Sequence, residues 1–171
     1  MEFCLMNKKY SFTIYAVISA LIVLLARQNW NTVYLKLPQL VQASFGWIRS
    51  PMKLALISAN NFVFDYATII LPRMERNSIE SFIIVRKPKL QALIRGLAPK
   101  EYSYLLLFVI VHLTAFDISN LISSLLILLV MIIVWLVLVF VMTYRLSVVK
   151  QNVLVFLFLL GLRTVIFSLN L

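Results

Sequence analysis

The sequence is poor in the side chains that catalyse reactions or bind metals. Its 171 residues include one cysteine, one histidine and six acidic residues. The single cysteine, Cys4, excludes an internal disulfide, and no spacing typical of a metal site occurs. The motifs GxxxxGK[ST], HExxH, CxxC and GxSxG are also absent. We therefore expect no enzymatic activity, cofactor or metal, and any ATP hydrolysis must come from a separate subunit.

Charged residues are also scarce, at 13%, whereas 63% of the chain is hydrophobic, more than globular proteins usually carry. The sixteen basic residues give a net charge of +10, which alone is typical of a nucleic-acid-binding protein. Here they lie between long apolar runs, the distribution by which cytoplasmic loops set membrane topology. We therefore predict an all-α, polytopic helical bundle in the lipid bilayer, with no nucleic-acid partner.

Five apolar runs are candidates for transmembrane helices, which need about 20 apolar residues to cross the hydrocarbon core. The strongest is 120–144, which contains no charge. The run 10–26 follows Lys8 and Lys9 like a signal peptide, but Leu24 stands where cleavage requires a small residue, so we predict an uncleaved span. The predicted spans are 10–26, 54–71, 102–117, 120–144 and 152–171, with the third and fourth turning at Asp117-Ile118-Ser119.

The run 54–71 is borderline. Its nine Leu, Ile, Val and Phe residues favour insertion by roughly 4 kcal/mol, but Asp65 alone costs about 3 kcal/mol near a helix centre, and Asn60 and Asn61 add to this. Partner helices must therefore satisfy its polar groups. If this run spans the membrane, the bundle has five transmembrane helices and a cytoplasmic N-terminus. If it does not, the bundle has four transmembrane helices and an external N-terminus. The distribution of basic residues alone favours four.

Two polar segments separate these spans. The outer segment, 27–53, is aromatic and predicts a helix lying in the membrane interface, either as an anchoring loop or as a cap over a transport path. The residues that share its apolar face are Leu37, Leu40, Val41, Phe45 and Ile48.

The second segment, 72–101, holds seven of the sixteen basic residues and faces the cytoplasm in both topologies. The sequence predicts a short amphipathic helix with Asn77 as its N-cap and Pro88 as its end. A second one begins near Leu90, is closed by Gly96 and is followed by a new start at Pro99.

Three ionisable residues fall within the predicted spans: Asp65, His112 and Arg163. Charges in lipid are costly, so these side chains should face the bundle interior or a partner. Asp65 and Arg163 are about 10 and 18 Å from the inner ends of their helices, a gap that an arginine side chain can largely bridge. Two alternatives follow: Asp65 and Arg163 form a pair, or Arg163 points outward and Asp65 contacts another subunit. For His112, a hydrogen bond to a neighbouring helix is favoured over a proton relay.

The stretch Glu75-Arg76-Asn77-Ser78-Ile79-Glu80-Ser81-Phe82, followed by Arg86, resembles the permease subunits of ABC-2 type exporters. In that family the corresponding segment is a coupling helix that docks on a cytoplasmic ATPase. Here Asn77-Ser78 replaces the glycine common in the family. The chain has five predicted spans, whereas family members usually have six. The docking residues that the resemblance implies are Glu75, Arg76, Ile79, Glu80, Phe82, Ile83 and Arg86.

The resemblance favours five spans and a bacterial cell-membrane subunit that couples a cytoplasmic ABC ATPase to export of a peptide or small hydrophobic substrate. Such a subunit would act as a homodimer or with a related membrane subunit. The alternative is a non-transport membrane protein, such as an immunity factor or an assembly subunit, in which the basic segment only contacts anionic lipid headgroups. Pore formation and a membrane enzyme are further alternatives, although the sequence offers no paired catalytic site.

Overall fold

The computed structural model describes residues 2–28, 37–48, 51–83, 90–116, 121–140 and 147–168, with side chains for 10–27, 39–48, 51–75, 102–116, 121–139 and 147–168. The regular structure in these residues is entirely helical, which confirms the predicted all-α class. The helices are α1 (Glu2–Gln28), α2 (Leu37–Phe45), α3 (Met52–Ile83), α4 (Leu90–Leu113), α5 (Leu121–Phe140) and α6 (Val148–Ser168).

Four helical stretches in the described residues are long and apolar enough to cross a membrane, and they identify a multi-pass membrane protein. The borderline run 54–71 is one of them, as part of α3. The apolar part of α4, Tyr102–Leu113, is shorter than the other four. The four stretches are Tyr10–Arg27, Met52–Glu75, Leu121–Val139 and Val148–Ser168.

Helix α3 is the central element of the bundle. It packs against α1, α2, α4, α5 and α6, and 56% of its membrane-length stretch is buried, compared with 22–39% of the other three. This burial explains why the polar residues of α3 are tolerated there, since buried polar groups need partners that the surrounding helices supply.

Hydrogen bonds from neighbouring helices supply several of those partners. On α1, the Tyr15 hydroxyl donates to Asn60 Oδ1 at 3.2 Å, and Asn60 Nδ2 donates to Ser19 Oγ at 3.1 Å. On α5, the Trp135 indole N–H donates to Thr68 Oγ1 at 3.2 Å. These bonds offset the desolvation cost that makes the run 54–71 borderline when it is considered alone.

Helix α2 follows the predicted apolar face, because Leu40, Val41 and Phe45 are all buried. Ser44, which the sequence pattern places off this face, is buried as well. Helix α2 packs against α1, α3 and α6, so it is enclosed on more sides than a helix resting on the bundle surface would be.

The helices predicted within the basic segment 72–101 have different boundaries in the structure. Asn77 is not an N-cap, since α3 continues through it to Ile83, and Gly96 and Pro99 lie inside α4 rather than at a break. Extending an existing helix avoids the unfavourable nucleation of a new one. Proline is tolerated within transmembrane helices where neighbouring groups satisfy the freed backbone, and α3 likewise contains Pro72.

Several predictions for this part of the chain fall outside the described residues. Arg86 and the Asp117-Ile118-Ser119 turn lie outside the described backbone. For five of the predicted docking residues the structure describes a helical backbone but not the side chain: Arg76, Ile79, Glu80, Phe82 and Ile83.

Candidate functional site

The structure brings the three predicted intramembrane ionisable residues together in one place, which we name the charge cluster: Asp65 of α3, His112 of α4 and Arg163 of α6. Arg163 Nη2 lies 2.5 Å from Asp65 Oδ2, and His112 Nε2 lies 3.2 Å from Asp65 Oδ1. All three side chains are at most 1% exposed. One carboxylate therefore links three helices in a position shielded from solvent.

Arg163 also binds the end of α2. Its Nη1 donates to the carbonyl oxygens of Gly46 and Ser58, and its Nη2 donates to that of Ser44, each at 3.1 Å. The last four carbonyls of a helix lack partners within the helix, and the helix dipole gives this end partial negative charge. Arg163 therefore neutralises Asp65 and caps the C-terminal end of α2 at the same time.

Gly46, directly after α2, is bound from two other helices. Its carbonyl accepts from Arg163 and also from the Ser58 hydroxyl, at 2.6 Å. A Cβ at position 46 would lie 3.1 Å from the Gln42 carbonyl oxygen and 3.5 Å from that of Arg163. The tight contact would thus be with α2 itself, whereas α6 lies at an ordinary van der Waals distance.

Aromatic rings cover the remaining faces of the guanidinium. The Arg163 Cζ lies 5.9 Å from the centre of the Trp47 ring and 5.7 Å from that of Phe62. Such cation–π contacts gain strength where the cation is desolvated. The guanidinium is thus held by carbonyls, a carboxylate and rings from α2, α3 and the residues that follow α2.

His112 is fixed at both ring nitrogens. Its Nδ1 lies 2.9 Å from the carbonyl oxygen of Phe108, one turn earlier in α4, while Nε2 faces Asp65. The imidazole packs against the rings of Phe108 and Phe45, at centroid distances of 4.4 and 5.0 Å. His112 therefore contacts Asp65 of the neighbouring helix α3, but neither Nε2 nor Asp65 Oδ1 has a hydrogen-bond partner among the described residues, so the predicted hydrogen bond between helices stays a prediction.

The two predicted asparagines lie apart from the charge cluster in their contacts. Asn60 pairs α3 with α1 through Tyr15 and Ser19. Asn61 is 2% exposed, and its Oδ1 has no hydrogen-bond partner among the described residues. Asn60 is therefore a helix-pairing residue in this structure.

The sequence reasoning missed a second buried arginine. Arg73 is counted with the cytoplasmic basic segment, but it is only 2% exposed. Its Nη1 donates to the Leu138 carbonyl of α5 at 2.8 Å, and its Nη2 donates to Gln151 Oε1 of α6 at 2.6 Å. The one signal in the sequence was Gln151, a polar residue directly before an apolar run that could serve as its partner.

Glu75 is the only residue of the implied docking set whose side chain the structure describes. It is partly buried, and Glu75 Oε1 accepts a hydrogen bond from the Tyr104 hydroxyl at 2.6 Å. Glu75 therefore joins α3 to α4 within the bundle, and whether it also contacts a partner stays a prediction.

An apolar cavity of about 300 Å³ opens beside the charge cluster, between α6 and the residues that follow α2. Its lining residues are Trp47, Ile48, Leu160, Thr164 and Phe167. Among the described residues, no three His, Cys, Asp or Glu side chains are grouped so that they could hold a metal ion.

Comparisons with known protein families, with curated proteins and with solved structures find no match to this chain.

The charge cluster predicts strong energetic coupling between Asp65 and Arg163. Removing one member of a buried ion pair leaves an uncompensated charge and typically costs about 3–5 kcal/mol of stability. We expect this cost for Asp65→Asn and for Arg163→Met. The loss of stability in the double variant should be smaller than the sum of the two single losses by about 2–3 kcal/mol. The free energy of unfolding in detergent micelles measures all three.

The matched control is Thr164→Val, because Thr164 is exposed and its hydroxyl bonds only within α6, to the Gly161 carbonyl. This variant should unfold like the wild type. Additive effects of Asp65→Asn and Arg163→Met would contradict the pairing.

Proposed function

We propose that this chain is the membrane-spanning subunit of an ATP-binding cassette exporter that works with a separate cytoplasmic ATPase. The observation that supports this most is the continuity of α3. One helix contains Asp65 of the charge cluster, and the same helix extends to Ile83 in the basic segment that resembles a coupling segment. A structural link between an ATPase and the centre of the bundle is what such a subunit requires.

The geometry suits transmission of motion. Eighteen residues separate Asp65 from Ile83, a length of about 27 Å of helix. Because α3 contacts α1, α2, α4, α5 and α6, a tilt or shift of its far end would be felt by each of them. Packed helices respond to such displacement by moving as rigid bodies.

We propose that α4 is a fifth span, although its apolar part is short. Tyr104 bonds to Glu75, and His112, eight residues further along α4, contacts Asp65, ten residues earlier in α3. The two helices therefore run antiparallel side by side. Beyond the end of α4, Ala115 packs in the same apolar cluster as Leu54 and Ile57, near the start of α3. This path supports five spans, and with the basic segment on the cytoplasmic side such a chain has a cytoplasmic N-terminus and an external C-terminus.

For the ATPase-binding surface we propose the apolar face that the sequence pattern predicts for Ile79, Phe82 and Ile83, together with the basic residues Arg76 and Arg86. An apolar helix face can fill a groove on a soluble partner, while arginines at its edge pair with carboxylates. The exported substrate would be a peptide or a small hydrophobic molecule, and a second copy or a related subunit would complete the exporter.

The docking surface predicts the effect of single charges. Phe82→Asp or Ile83→Asp should abolish co-purification of the proposed cytoplasmic ATPase, because a carboxylate would have to enter an apolar groove without a partner. The yield and the thermal stability of the membrane subunit should not change. Quantitative co-purification from detergent extracts measures both.

The control is Met52→Asp, since Met52 is 76% exposed at the opposite end of α3. This variant should retain the ATPase. Undiminished ATPase binding by both Phe82→Asp and Ile83→Asp would contradict the proposed surface.

The topology has a direct test because Cys4 is the only cysteine. With five spans, Cys4 is cytoplasmic, so a membrane-impermeant maleimide should label it only after permeabilisation. In a Cys4→Ser, Met52→Cys variant, the new cysteine should be labelled in intact cells. Labelling of Cys4 in intact cells, with protection of the cysteine at position 52, would show that the N-terminus is external and would contradict the five-span topology.

A second candidate function is that of an accessory or immunity subunit, and the closure of the charge cluster favours it. The three side chains are sealed from solvent, and the neighbouring cavity is lined mainly by apolar residues, so the described residues of one copy provide no polar path. Under this function a membrane protein co-purifies in place of an ATPase, and the complex does not hydrolyse nucleotide.

A further inference from the structure

The contact between Asp65 and His112 contains two atoms that need a hydrogen between them. Asp65 Oδ1 and His112 Nε2 lie 3.2 Å apart, and neither atom has a hydrogen-bond partner among the described residues. The other oxygen of the carboxylate is occupied by Arg163. The question is therefore which of the two atoms carries a proton.

The other ring nitrogen limits the answer. His112 Nδ1 lies 2.9 Å from the Phe108 carbonyl oxygen, which can only accept a hydrogen bond, so Nδ1 must carry a hydrogen. A neutral imidazole has one N–H, and its Nε2 would then present a lone pair. An ionised carboxylate also presents only lone pairs, and two such atoms at this distance repel each other.

We propose that the Asp65–His112 pair is a proton-binding site, which holds one proton more than a carboxylate and a neutral imidazole would carry. The proton lies between Asp65 Oδ1 and His112 Nε2. It converts a repulsive contact into a hydrogen bond that ties α4 to α3. The inference depends on the geometry of the cluster and not on the exporter function proposed above.

The proton is expected on Nε2. In water an imidazole is a stronger base than a carboxylate, and Asp65 Oδ2 already accepts a hydrogen bond from the Arg163 guanidinium. The pair is then an imidazolium and a carboxylate, with Arg163 as a second cation on the same carboxylate.

The surroundings compensate the resulting net positive charge of the charge cluster. The Ser44, Gly46 and Ser58 carbonyls accept from Arg163, and the first two lie at the negative end of the α2 dipole. The described side chains of α2 and α5 include no titratable group. From α1, Tyr15 acts electrostatically on Asp65, but its hydroxyl is bonded to Asn60.

The single histidine of the chain makes the site directly observable. We would label the full chain with ¹⁵N-histidine, purify it with a histidine-free tag into lipid nanodiscs, and record the two ring-nitrogen resonances near pH 7. Protonated and bare ring nitrogens have well-separated shifts. We expect both His112 nitrogens to be protonated in the wild type.

Asp65→Asn should convert His112 to the neutral form with hydrogen on Nδ1 only, since the anion is lost while the Phe108 carbonyl remains. Thr164→Val, at an exposed position beside Arg163, should give the wild-type spectrum. If Asp65→Asn fails to fold, the wild-type spectrum alone still decides the proposal.

A bare Nε2 in the wild type calls for infrared spectroscopy of the carboxyl groups. A protonated-carboxyl band that shifts in Asp65→Glu or is lost in Asp65→Asn would support the site, with the proton on Oδ1. One ring proton together with an ionised Asp65 carboxylate overturns the proposal, whichever nitrogen holds that proton.

Discussion

A guanidinium sealed inside an apolar bundle must find acceptors for its N–H groups, and in this protein that requirement determines what packs around α6. Arg163 donates hydrogen bonds to the Asp65 carboxylate and to the carbonyls of Ser44, Gly46 and Ser58. A buried charge without such partners would cost several kcal/mol, so α2 and α3 have to approach α6 at this level. The position of α2, a short helix that does not span, follows from the same requirement.

The second buried arginine repeats this arrangement farther along α3. Arg73 links α3 to α5 and α6 through the Leu138 carbonyl and Gln151, while Tyr104 and Glu75 link α3 to α4 nearby. Polar contacts near Asp65 and near Arg73 therefore hold the outer helices against one central helix. Between them, Thr68 accepts a hydrogen bond from the Trp135 indole, and aromatic contacts such as the stacked rings of Phe12 and Phe64 lie close by. In lipid, such polar contacts matter because burial of apolar surface gives little preference for one helix over another.

Much of this organisation could be predicted from residue types. Uncharged runs predict spans, and the cost of charge in lipid indicates that Asp65, His112 and Arg163 seek partners. The partners supplied by the backbone could not be predicted, because carbonyls carry no sequence signal: this applies to the α2 end for Arg163 and to Leu138 for Arg73. The continuity of α3 through Asn77 and of α4 through Gly96 and Pro99 was also missed, since local capping preferences are weaker than extension of a helix already formed.

If Arg163 holds α2 inside the bundle, the α2 backbone amides should be protected from hydrogen–deuterium exchange only as long as this arginine is present. In the wild type the amides of residues 40–48 should exchange slowly, like those of α3. In Arg163→Met they should exchange at least about tenfold faster while α5 stays protected, because local opening exposes only the segment that has lost its contacts. Fast exchange of α2 in the wild type, or unchanged protection of α2 in a folded Arg163→Met protein, would show that Arg163 does not hold α2 in place.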